Sequence, residues 1–284
     1  MATEGNALEI RVTGADPDTS PSREDEGGSP LTLHTTRGDL RVAFHQSPDP
    51  HAGIVWVWGA QGGLDGPADR IYATLADELL TDGITSLRVD YRQPRVLMES
   101  VMDTLAGVSF LKGLGYRSVA LVGHSFGGAV VITAAPISEE VTAVVALSSQ
   151  TYGAQDARLV APRPLLLVHG EDDHRLPPRN SRTIYLWANE PKEMLTVHGA
   201  SHVDSHAVGG AAYYTALQRF IDAPDLNHYA EVTRLMTPLL ALSHHAAVLC
   251  VHHANKGFRK GVDAVLGSTA LSGSAANIFY MHKA

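Results

Sequence analysis

The sequence predicts an α/β protein: a doubly wound, mostly parallel sheet led by an antiparallel hairpin. Three observations predict it. Six short apolar runs rich in β-branched residues alternate with helical patterns. Ahead of them, two alternating runs flank Arg37-Gly38-Asp39, as in a hairpin. One apolar run also passes directly into a helical pattern through Gly123-His124-Ser125-Phe126-Gly127.

In chain order, residues 31–36 and 40–45 form the expected hairpin. The runs at 53–58, 84–89, 118–122, 141–147, 164–168 and 193–197 are four to seven residues long and nearly continuous in apolar character. That is the pattern of strands buried on both faces. Helical patterns fall between and after them, at 68–80, 97–114, 127–135, 181–188 and 207–221. In such a sheet a ligand site is expected outside the carboxyl ends of the strands.

The chain has 284 residues, of which 44% are hydrophobic and 18% charged, enough apolar surface for a sizeable core. Its net charge of −8 argues against a polyanion-binding surface, so no nucleic-acid partner is expected. A single cysteine, Cys250, excludes an internal disulfide framework. No run is long and apolar enough to suggest a membrane span or leader, and the expected class is a soluble, cytoplasmic protein. Residues 1–30 carry seven acids and two bases among Ser, Pro and Gly, and read as a flexible acidic tail. Residues 31–224 read as one complete domain and residues 225–284 as an extension.

The pattern Gly123-x-Ser125-x-Gly127 places a serine on a sharp strand-to-helix turn, with glycines where neighbouring backbone must pass close. The Phe126 N–H, next in the chain, would face an oxyanion developing on a bound carbonyl. A serine hydroxyl needs a base, and the base an orienting carboxylate, here expected in the chain order Ser, Asp/Glu, His. The loop after 164–168 holds Glu171, Asp172 and Asp173, and the loop after 193–197 holds His198, His202 and His206. Order alone leaves the choice among these open. A second oxyanion donor is expected from the loop after 53–58, where Ala60 N–H is the candidate and Gln61 the next. That loop lacks the spacing of a phosphate-binding motif. Neither the His202–His206 spacing nor the histidine pairs at 244–245 and 252–253 match a metal-ligand motif, so no metal and no cofactor are expected.

Together these residues resemble the α/β-hydrolase superfamily over 31–224, and most of all its small dienelactone-hydrolase-type members. His169-Gly170-Glu171-Asp172-Asp173-His174-Arg175-Leu176-Pro177 is similar to the family's H-G-x-x-D-x-x-V/L-P, which implies Asp173 as the acid. Gly199-Ala200-Ser201-His202 is similar to its G-A-x-H stretch, which implies His202 as the base. Dienelactone hydrolases carry Cys at the nucleophile position, and Ser125 points instead to a serine esterase acting on a small-molecule ester, lactone or thioester. The superfamily commonly inserts a lid between the strand ending at Leu147 and the next, but only the 17 residues 148–164 separate Leu147 from Leu165 here, too few for a large cap. Gln61, Tyr91, Arg92, Gln150 and Tyr152 are the expected walls of an open cleft, with Arg92 and Arg95 available to a substrate carboxylate. The rival readings are a non-catalytic binding module on the same fold and an ATPase-related DNA-associated protein. The latter rests on residues 248–271, which resemble a fragment of RepA-type RecA-like ATPases although the chain has no Walker A loop.

Overall fold

The computed structural model describes residues 9–19, 27–68 and 70–222. Nine strands form one sheet in the order β1-β2-β3-β5-β4-β6-β7-β8-β9. β1 (Val12–Pro17), β2 (Ser29–Thr35) and β3 (Leu40–His45) run antiparallel, and β3 pairs antiparallel with β5 (Ile84–Val89). From β5 onward the sheet is parallel, through β4 (Ala52–Val57), β6 (Val119–His124), β7 (Val141–Leu147), β8 (Leu165–Gly170) and β9 (Lys192–Val197). The sequence-predicted strands and the hairpin register around Arg37–Asp39 are all present.

The helices follow from the alternation of side chains along these strands. Val55, Leu87, Leu121, Val144 and Leu167 point to one face and join a single core cluster with Val101, Leu111 and Val130. Those last residues come from α2 (Leu97–Gly113) and α3 (Phe126–Ala134). On the opposite face Trp56 packs on Tyr72 of α1 (Ile71–Glu78), with ring centroids 5.0 Å apart. Helices α4 (Arg179–Trp187) and α5 (Ser205–Asp222) follow β8 and β9. Each fully buried Val or Leu of the central strands contributes about 1.5–3 kcal/mol relative to leaving it in water. The 17 residues between β7 and β8 hold one short 3₁₀ turn, Ala157–Leu159, and no cap.

β1 departs from expectation: residues 12–17 were read as part of a flexible tail and are a sheet strand. Their sequence, Val-Thr-Gly-Ala-Asp-Pro, has almost no apolar period, so periodicity could not reveal it. What holds it is the backbone ladder to β2, extended by Asp18 N–H to the Pro30 carbonyl and Thr36 N–H to the Arg11 carbonyl. Asp16 adds a contact to His34, which also meets Asp39; the two carboxylates raise the His34 pKa above its ordinary value. A polar, charged strand suits a sheet edge. The extension expected at 225–284, with the stretch resembling a RecA-like fragment, and residues 1–8 and 20–26 lie outside the described residues.

The sheet also buries a charge. Arg88, in the middle of β5, is fully buried. Its Nε donates to His45 Nε2 at 3.0 Å, and its terminal nitrogens donate to the carbonyls of Leu64 and Gly27. Because His45 Nε2 accepts, the His45 proton sits on Nδ1 and is donated to Asp77 at 2.7 Å. Arg88→Met should leave buried acceptors without donors and cost about 2–4 kcal/mol. Urea denaturation would read this as a lower midpoint at unchanged slope.

Candidate active site

The ends of three parallel strands, β6, β8 and β9, build the site. β6 ends at His124 and α3 begins at Phe126, leaving Ser125 alone to turn the chain. It does so at φ 59° and ψ −114°, a conformation that costs a non-glycine residue about 1–3 kcal/mol. Neighbouring backbone holds it there. Ser125 N–H donates to the Leu147 carbonyl at 2.8 Å, and the Ser125 carbonyl accepts from Gly128 and Gln150 N–H. The flanking glycines are required by close approach: a Cβ on Gly123 would overlap the Gly127 carbonyl, and one on Gly127 would overlap the carbonyls of Val57 and Trp58.

The loops after β8 and β9 are stitched together by Glu171 N–H to the Val197 carbonyl and Asp172 N–H to the Ala200 carbonyl, both 2.9 Å. This brings Asp173 Oδ2 within 2.7 Å of His202 Nδ1. Both residues are buried, His202 with 8% of its surface accessible. An ionised carboxylate only accepts, so the His202 proton lies on Nδ1 and Nε2 keeps its lone pair. Asp173 Oδ1 accepts from the Arg175 and Leu176 amides, and the single His169 Nε2–H is shared between the Leu176 carbonyl at 2.7 Å and Asp173 Oδ2 at 3.1 Å. His169 Nδ1 in turn takes the Ser181 hydroxyl at 2.6 Å. Burial alone would raise the Asp173 pKa, but the hydrogen bonds from His202 and Leu176 outweigh it and hold the carboxyl below its ordinary value.

The rival acids and histidines are placed elsewhere. Exposed His198 pairs with Glu171, Asp172 is exposed, and His206 packs its ring edge against Tyr213, 6.3 Å between centroids. Ser125 Oγ makes no hydrogen bond to His202 or to any other described group. In hydrolytic sites that contact often tightens only with substrate in place. The Ala60 and Phe126 amides donate to no described acceptor. Ala60 sits in a tight turn closed by Gly62 N–H to the Gly59 carbonyl at 3.0 Å, and Gly63 N–H donates to Asp90 Oδ1 at 2.6 Å.

Two expected cleft residues are not cleft residues. Arg92 was read as a surface guanidinium for a substrate carboxylate, yet its side chain is 7% exposed and bound to Asp103 and Glu99 and to the Arg37 carbonyl. Asp103 and Glu99 come from α2, which packs over the end of β5 and takes the guanidinium inward. Tyr91 is likewise buried under the site, its hydroxyl on the Trp58 carbonyl at 3.1 Å and its ring edge-on to Phe126. Gln61 and Tyr152 are exposed, and Gln150 is half-buried with its amide on the Tyr152 carbonyl. Sequence reasoning missed His124, His169 and Ser181 as members of the site. His169 stood inside the quoted motif; for Ser181 no local signal exists. Among the described residues no group of His, Cys, Asp or Glu is arranged to hold a metal ion, and no helix is long and apolar enough to cross a membrane.

The described core superposes on the α/β hydrolase GrgF from Penicillium sp. sh18 with a TM-score of 0.58 at 16% identity, covering 68% of this chain and 97% of that one. The chain has the α/β-hydrolase fold. The esterase domain of a Rhodothermus marinus protein gives a TM-score of 0.54 at 21% identity over 66% of this chain and 97% of its own. The family model of platelet-activating factor acetylhydrolase, isoform II, matches residues 90–208, a stretch that contains Ser125, Asp173 and His202. An uncharacterised protein of Pseudomonas aeruginosa is 56% identical over 45 residues. That match spans 16% of this chain and only 12% of the relative's length.

The buried histidines make the fold acid-sensitive. Burial pushes His124 down to about 3 and lowers His169 as well, whereas an unfolded chain protonates its histidines near pH 6.5. Below that pH the unfolded state binds protons that the folded state refuses, so stability falls as pH falls. His124 alone should cost about 2 kcal/mol between pH 6.5 and 5. Urea midpoints that stay constant from pH 7 to pH 5 would contradict this.

Proposed function

We propose that the protein is a serine hydrolase of small carboxylic esters, with Ser125 as nucleophile, His202 as base and Asp173 as the carboxylate that orients it. The observation that carries this reading is the 2.7 Å contact from His202 Nδ1 to a fully satisfied Asp173 carboxylate, held on the loops after β8 and β9 at the same sheet edge as the Ser125 turn. His202 Nε2 would take the Ser125 proton as Oγ attacks the ester carbonyl, then return it to the departing alcohol. The unbonded Ala60 and Phe126 amides are suited to the tetrahedral oxyanion, since neither must break an existing hydrogen bond to turn toward it. Water, deprotonated by His202, then attacks the acyl-Ser125 ester, releases the acid and restores the serine.

Substrate size follows from the walls. With one 3₁₀ turn between β7 and β8, no lid among the described residues builds a tunnel for a long chain. The matching family's description names an acetylhydrolase, which agrees with a short acyl group. The guanidinium of Arg92 is committed to Asp103 and Glu99, which leaves the exposed Arg95 as the expected partner of a substrate carboxylate.

Ser125→Ala should lower kcat for p-nitrophenyl acetate by roughly four to six orders of magnitude, with the fold intact by circular dichroism. Unchanged turnover would sink the proposal. Asp173→Asn should cost about four orders, because the amide presents an N–H where His202 needs an acceptor and favours the wrong tautomer. Across p-nitrophenyl esters from acetate to palmitate, kcat/KM should be highest for the short chains; a maximum at palmitate would overturn the open-cleft reading.

A further inference from the structure

The proposed reaction leaves one buried imidazole at the site unused. His124, the residue immediately before Ser125, is 4% exposed. Its Nε2 lies 2.8 Å from the main-chain carbonyl oxygen of His202. A carbonyl only accepts, so the His124 proton is on Nε2 and Nδ1 carries a lone pair. That Nδ1 is buried and has no partner among the described residues. The two rings lie 4.8 Å apart, centroid to centroid, at an interplanar angle of 56°. Burial keeps the ring neutral, so no second positive charge would oppose an imidazolium forming on His202.

An apolar side chain would fill this space without leaving a buried lone pair unpaired. What His124 does that an apolar residue cannot is donate to the His202 backbone. The bond crosses 78 positions of sequence to join the Ser125 turn directly to the His202 loop. The side-chain contact to Asp173 sets which way the imidazole faces, but Asp173 stands on the neighbouring β8 loop and leaves the spacing to Ser125 unset.

Resting on the serine-hydrolase reading above, we propose that His124 is a positioning residue: its Nε2–H, on the His202 carbonyl, holds the base at working distance from Ser125. The bond acts on the step in which the proton moves and not on substrate binding, so its loss falls on kcat. Small misplacements of a catalytic group cost up to about 100-fold in rate.

The test uses the full chain with His124→Leu, which fills the space and removes the donor, and His124→Gln, whose amide N–H can reach the same carbonyl. Folding of each is checked by circular dichroism and thermal melting. For p-nitrophenyl acetate, His124→Leu should lower kcat by roughly 10- to 100-fold with KM within about twofold, and His124→Gln should recover most of that loss. Equal losses in the two variants, or a wild-type kcat in His124→Leu, would overturn the proposal. A second readout does not need turnover: the far-downfield proton NMR signal of His202 Nδ1–H on Asp173. His124→Leu should broaden or shift it and His124→Gln should keep it; an unaltered signal in His124→Leu would overturn the positioning role. If wild type and Ser125→Ala hydrolyse equally, the hydrolase reading fails on its own, and the NMR comparison still decides whether His124 places His202.

Discussion

The Asp173 carboxylate is the point on which the site depends. It accepts four hydrogen bonds, two from the backbone of its own loop, one from His202 and one from His169. An ionised group in a buried position is tolerable only when its lone pairs are occupied this fully. Each of the four donors is thereby located. The loop after β8 curls around Oδ1, α4 is brought in through Ser181 and His169, and the β9 loop is held through His202. Removing the carboxylate would free three segments at once, so structural and chemical demands coincide on one side chain.

Against this polar anchor stands a steric one. The turn at Ser125 connects strand to helix with a single residue, in backbone geometry that serine does not choose by itself. Three backbone hydrogen bonds and the close passage of the β4 end over Gly127 impose it. The strain is local, and the buried strands around it are stable enough to carry it. The two anchors sit on different strands, and His124 is where they touch.

Much of this was legible in the sequence, for identifiable reasons. Strands buried on both faces announce themselves as continuous apolar runs, and the Ser125 turn as a glycine pattern, because both constraints act within a few residues. Asp173 and His202 were legible only through motif resemblance, since Asp172 and His198 satisfy chain order equally well. What stayed hidden depends on partners far away in the chain. Arg92 resembles a surface arginine until Asp103 and Glu99 are brought against it by α2. The network of His169 with Ser181 exists only once α4 has docked. β1 escaped because a strand held by its ladder and by side-chain charges leaves no hydrophobic signature.

The short connection between β7 and β8 bears on what kind of transferase the proposed chemistry could become. An acyl-enzyme is a fork: water or another alcohol can take the acyl group. Enzymes that hand it to a chosen acceptor exclude bulk solvent while the intermediate lives. With no cap in the β7–β8 connection, the proposed acyl-Ser125 would face water at close to its bulk concentration. Among the described residues this connection thus favours hydrolysis over transesterification and supplies no lid motion to limit turnover.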